Sequence, residues 1–125
     1  MTDHPSGRRR VLVVDDNDDL AQLLGEFISA DESLEYVGYV CSGAEAIEKA
    51  RLGVADVFLL DLSLRDTSGF QILERLKHDS PAVKVVIHTG LALKGLGDVL
   101  RQRGAAAYVV KDGNPEALLS AIRSA

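Results

Sequence analysis

Short unbroken apolar runs along this chain alternate with segments whose apolar residues recur every three or four positions. Val11-Leu12-Val13-Val14 is a run of strand length, the pattern of a strand covered on both faces. Behind it, Leu20, Leu23, Leu24, Phe27 and Ile28 fall at helical spacing and predict one inward-facing stripe. Tyr36 to Cys41, rich in Tyr and Val, reads as a second strand. Ser42 with Glu45 three positions on forms a capping box, which opens a helix running through Ile47 and Ala50. Val57 to Leu60 is a third strand, and a turn at Ser68-Gly69 opens a helix with Phe70, Leu73 and Leu76 inward. Val83 to Ile87 is a fourth strand. Leu96, Val99, Leu100 and Arg103 mark a fourth helix, ended by Gly104 in a left-handed conformation. Gly95 and Gly97 at its start predict a weakly formed first turn. Ala107 to Val110 is a fifth strand. Asn114 and Pro115 then start a last helix with Leu118, Leu119 and Ile122 inward.

Strand and helix alternating five times imply a parallel sheet covered by helices on both faces. Right-handed crossovers then favour an α/β, flavodoxin-like (βα)5 three-layer sandwich, its five-stranded parallel sheet in the order 2-1-3-4-5. Such sheets bind ligands beyond the carboxyl ends of their strands, where the order reverses between strands one and three. The residues predicted at that edge are Asp15 and Asp16 after strand one, Asp61 after strand three, Thr89 after strand four and Lys111 after strand five. Each alone has a bland explanation as a helix-terminus acid, a turn residue or a solvated strand end. All five on one edge do not.

Composition narrows the class. The chain has 125 residues, 46% of them hydrophobic, enough for a single domain with its own core. A net charge of -5 argues against a general nucleic-acid surface, and no direct nucleic-acid or membrane binding is expected. Arg8, Arg9 and Arg10, the one basic run, read as a solvated lead-in to the first strand. No apolar run approaches the ~20 residues of a membrane span, and no apolar stretch follows the early arginines, so a secretory signal is not expected. Cys41, the lone cysteine, reads as a buried reduced thiol, consistent with a cytoplasmic compartment. Of the histidines, His4 falls in the N-terminal tail, His78 on a helix surface and His88 beside Thr89.

Three carboxylates converging on one crevice must hold a proton or a cation, because two charges about 4 Å apart repel by roughly 4 kcal/mol at an effective dielectric of about 20. Hard oxygens with room for water suit Mg²⁺, with Mn²⁺ as a substitute; the lack of His or Cys among them argues against Zn²⁺. A carboxylate beside such a cation can attack a phosphoryl group. Asp61 supplies that nucleophile, Lys111 a second counter-charge for the transferring oxygens, and Thr89 a hydrogen bond to one of them. No base is required, since the carboxylate is already ionised.

In this order and spacing, VLVVDDN at 11–17, FLLDLSLRDTSGF at 58–70, VVIHTG at 85–90 and GAAAYVVKDGNPEALLSAI at 104–122 resemble the receiver domain of two-component response regulators, the chemotaxis regulator among them. The resemblance runs from about Arg9 to Arg123 and implies a flexible tail over residues 1–8 and a receiver domain over 9–125. It implies that Asp61 is the phosphoacceptor, Asp16 a direct Mg²⁺ ligand, Asp15 a ligand through water and the Ser63 carbonyl the last protein ligand. Lys111 would bridge to the phosphoryl group, Thr89 would be the switch hydroxyl and Tyr108 the switch aromatic. Gly90 would leave the phosphoryl group access, and Gly69 would close the loop after strand three. The implied partners are a histidine kinase or phosphotransfer protein upstream and a downstream protein or fused output domain. The surface of helix four, strand five and helix five would switch, with a phosphorylation-dependent homodimer among its uses. Such a domain is not an enzyme toward outside substrates, although it catalyses its own phosphorylation and dephosphorylation.

Two positions depart from the family pattern: Arg65 stands where a proline is usual, and Asp112 follows Lys111 where proline is common. Three other readings compete. A receiver regulated without phosphate would lack Asp16, Asp61 or Lys111, and all three are present. A flavin carrier would want a Ser/Thr/Gly-rich loop where Asp15 to Asp19 stand. An aspartate-nucleophile phosphatase would place an acid two positions after Asp61, where Ser63 stands.

Overall fold

In a computed structural model, residues 7–125 are described. The elements run β1 (Arg9–Val14), α1 (Asp18–Ala30), β2 (Leu34–Val40), α2 (Gly43–Arg51), β3 (Val57–Leu60), α3 (Gly69–Asp79), β4 (Lys84–Thr89), α4 (Leu96–Gln102), β5 (Ala107–Val110) and α5 (Pro115–Ser124). All strand pairs are parallel and the order is β2-β1-β3-β4-β5, as the alternation of elements predicts. The reversal of order therefore falls between β1 and β3.

Alternate residues of the buried strands feed two cores. Leu12, Val14, Phe58, Leu60, Val85 and Ile87 point toward α2, α3 and α4, whereas Val11, Val13, Val57, Leu59 and Val86 point toward α1 and α5. Burying each such side chain contributes about 1.5–3 kcal/mol, which is why β1 and β3 read as unbroken apolar runs. Helix starts follow the predicted caps. The Ser42 hydroxyl accepts from Glu45 N at 3.2 Å, and Asn114 Oδ1 accepts from Glu116 N and Ala117 N.

Four expectations need correction. In α1 the inward face is Ala21, Leu24, Gly25 and Ile28; Leu23 is 46% exposed and Phe27 half-buried. The small residues let α1 approach the sheet so closely that a Cβ on Gly25 would stand 2.5 Å from the Tyr36 ring, and this rotates the stripe of large residues outward. Cys41 is exposed, because β2 ends one residue earlier and the thiol faces Asp18 at 3.5 Å. Partial desolvation and the Asp18 carboxylate hold that thiol above its ordinary pKa. Arg9 and Arg10 belong to β1 rather than to a solvated lead-in: Arg10 binds Asp56 through its amide at 2.8 Å and its guanidinium at 3.0 Å. Finally, Gly95 is not inside α4. It is the residue before the helix, at φ 83°, so only Gly97 weakens the first turn from within. Residues 1–6, with His4 and most of the expected tail, lie outside the described residues.

Candidate functional site

The carboxyl edge of the sheet assembles the pocket. Asp15 and Asp16 leave β1 directly, Asp61 leaves β3 and Lys111 leaves β5. One oxygen from each of Asp15, Asp16 and Asp61 lies within 4.8 Å of the other two. Asp15 is 2% exposed and Asp61 6%, whereas Asp16 is half-buried. Buried carboxylates need partners. Asp15 Oδ1 accepts from Asn17 N at 2.9 Å, and Asp61 Oδ1 from Ser63 N at 3.0 Å. Their other oxygens share one ammonium: Lys111 Nζ lies 3.1 Å from Asp15 Oδ2 and 3.3 Å from Asp61 Oδ2.

The third carboxylate is served differently. Asp16 Oδ2 lies 3.5 Å from Nε of Arg65, whose side chain is 89% exposed. Arg65 was visible in the sequence only as a missing proline. The loop that carries it is held at several points. Asp66, one residue on, accepts from Gly43 N at 3.0 Å and Ala44 N at 3.3 Å at the start of α2, and these bonds hold its carboxyl below the usual range. Ser63 and Ser68 form an isolated antiparallel bridge, and Gly69 N donates to the Leu62 carbonyl at 2.9 Å. A Cβ on Gly69 would stand 2.4 Å from Leu62 Cα and 2.7 Å from the Asp61 carbonyl oxygen, so glycine is required there.

The remaining site candidates lie along β4 and β5. Thr89 is buried, its hydroxyl accepts from Leu91 N at 3.2 Å, and its carbonyl accepts from Lys111 N at 2.7 Å. Gly90 is exposed, with nothing within 4 Å of where a Cβ would sit. Tyr108 is half-buried and its hydroxyl donates to the Leu91 carbonyl, which ties β5 to the loop after Thr89. His88 is buried with Nδ1 unpartnered among the described residues. Burial first, then Lys111, pushes its pKa down to about 4, so the ring is neutral near pH 7. The cluster able to hold a metal consists of the three aspartates, without His88.

This donor set fits a hard divalent cation: clustered carboxylate oxygens with an open side suit Mg²⁺ or Mn²⁺. Fold and site together define a parallel α/β domain with an acidic, lysine-bridged pocket at its topological switch point. The chain belongs to the response regulator receiver domain family, whose pattern it matches over residues 11–123. Nitrate/nitrite response regulator protein NarP from Escherichia coli is 33% identical over 115 residues, 92% of this chain and 54% of that protein. Protein-glutamate methylesterase/protein-glutamine glutaminase 1 from Syntrophomonas wolfei is 36% identical over 106 residues, 83% of this chain and 30% of that protein. The chain thus spans about half the length of such relatives, or less. Among solved structures, the CheY-like response regulator receiver domain protein from Methanospirillum hungatei superposes with a TM-score of 0.81 at 27% identity, covering 93% of this chain and 91% of that one. The response regulator domain of Thermotoga maritima CheB gives 0.83 at 25% identity, covering 93% and 94%. Among the described residues no helix is long and apolar enough to cross a membrane.

Proposed function

We propose that Asp61 accepts a phosphoryl group from a phosphohistidine donor, a histidine kinase or phosphotransfer protein, in the cytoplasm. The observation that carries this reading is the single ammonium of Lys111, 3.1 Å from Asp15 and 3.3 Å from Asp61, inside a three-carboxylate cluster. An Asp61 oxygen forms a bond to phosphorus as the bond from phosphorus to the donor imidazole breaks, and that imidazole takes a proton from water. Asp16, Asp61 and the Ser63 carbonyl would hold Mg²⁺ directly, with Asp15 acting through water. The bound ion supplies charge neutralisation for the transferring oxygens. Lys111 exchanges its contact with the Asp61 carboxylate for the new phosphoryl oxygens. Gly90 leaves that approach open, and the Thr89 hydroxyl turns from Leu91 N to the phosphoryl group. The Leu91 loop then shifts, Tyr108 follows its hydrogen bond, and the surface of α4, β5 and α5 changes for a downstream protein, a fused output domain or a second copy. The chain catalyses only its own phosphorylation and its own dephosphorylation, in which water takes the phosphoryl group from Asp61 as inorganic phosphate.

Incubation with a small acyl phosphate and Mg²⁺, followed by intact-mass measurement, tests the central step. Wild type gains one phosphoryl mass and Asp61→Asn gains none. Equal labelling of the two proteins removes Asp61 from the role.

A further inference from the structure

Two cations face three carboxylates in this pocket, and they divide the work. Lys111 serves Asp15 and Asp61, whose side chains are both nearly inaccessible. Among the described residues, Arg65 is the one cation paired with Asp16, the most accessible of the three. The Arg65 backbone is fixed beside the pocket mouth by the Asp66 cap on α2 and the Ser63–Ser68 bridge, while its side chain extends into solvent. A fixed backbone with a solvent-exposed guanidinium is a tethered counter-ion. The same loop starts at Asp61 and Ser63, so the tether springs from residues assigned to the metal.

We infer that Arg65 is a further determinant of the site: it competes with the divalent cation for Asp16 and thereby sets how tightly that cation binds. This rests on the proposed metal-holding role of Asp16 and Asp61. A metal ion on Asp16 must share that carboxylate with the guanidinium or displace it, and a displaced guanidinium remains on its tether close to the ion. Both effects weaken binding. A proline at this position would offer neither. An ion pair this exposed is worth little in isolation, so the expected handicap is about two- to five-fold in the dissociation constant. Arginine suits the task, because it stays charged at every working pH and hydrates less tightly than lysine.

The test is a Mg²⁺ titration of the whole chain followed by amide NMR shifts at residues 15, 16 and 63. Arg65→Ala should bind about two- to five-fold more tightly than wild type. Arg65→Lys, which keeps the charge, should stay near wild type. Arg51→Ala, which removes an exposed cation on α2, should leave affinity unchanged. Raising ionic strength from about 0.05 to about 0.5 M should narrow the gap between wild type and Arg65→Ala. Equal, saturable titrations for wild type and Arg65→Ala overturn the competition and leave the metal reading standing. An equal gain from Arg51→Ala also overturns it, because net charge alone would then account for the effect. No saturable shift in wild type overturns the metal reading itself, and the competition with it.

Discussion

At the junction of β1 and α1 the chain turns from strand to helix in three residues, Asp15 to Asn17, and nearly every polar group there is tied. Asp15 accepts from Asn17 N and pairs with Lys111, Asn17 caps the helix through Leu20 N at 3.0 Å, and thirteen residues of α1 follow. At the junction of β4 and α4 the chain takes six residues, 90–95. Leu91 and Leu93 are exposed there, α4 has only seven residues, and Gly95 gives its start no side-chain cap. Both junctions border one pocket. The first holds charges in place, whereas the second is anchored by side chains only at Leu91, through Thr89 and Tyr108. A switch needs both: a binding side rigid enough to create a difference in affinity, and a reporting side cheap to rearrange.

The largest effect separating the junctions is expected in hydrogen exchange. Amides of Leu24 and Ile28 should exchange at least about a hundredfold more slowly than those at 92–95, and a beryllofluoride phosphoryl mimic should change only the latter strongly. Equal protection at the two junctions, indifferent to the mimic, breaks the comparison.

His88 gives the β4 side an acid liability. Its folded pKa of about 4 lies below the ordinary 6.5, so the unfolded chain takes the proton first. Stability is therefore full above pH 6.5 and lost as the pH falls toward 4, by roughly 3 kcal/mol from this group. Urea denaturation of wild type and His88→Val between pH 7 and 4.5 should show a shallower acid limb for the variant. Parallel limbs would remove the histidine from the account.

Smaller effects probe the helix starts. Asn17→Ala should cost about 1 kcal/mol of stability by orphaning the Leu20 amide. Gly97→Ala should gain up to about 1 kcal/mol of helix propensity but set its Cβ 3.3 Å from the Tyr108 ring. The net change should fall within about 0.5 kcal/mol, read by thermal melts, with slower exchange at 96–98. A loss as large as that of Asn17→Ala would mean that α4 starts as firmly as α1.

Most of this architecture was legible in the sequence, because each buried strand is a continuous apolar run and most helix starts carry a side-chain cap. The pocket was legible too, since its acids and lysine sit directly at strand ends, where topology alone brings them together. What stayed hidden were contacts set by close approach. Periodicity weighs large side chains, so it missed that Ala21 and Gly25 set the inner face of α1 and left Leu23 outside. Strand length bore on the fate of Cys41, which lies one residue past the end of β2 and is exposed. Arg65 was recognisable only as a departure from a family pattern, because no local spacing shows that residues 49 apart meet at a pocket mouth. The unpartnered nitrogen of His88 left no trace in sequence, where a polar residue ending an apolar strand looks ordinary.

The pairing of β2 with β1 slips between Val11 and Val13, and Gly38 at φ 116° takes up the extra length. Because β2 is an outer strand of the sheet, that slip breaks the row of backbone donors and acceptors another molecule would need to lengthen it. Its consequence is colloidal rather than chemical: at high concentration such an edge is a poor seed for strand-to-strand aggregation.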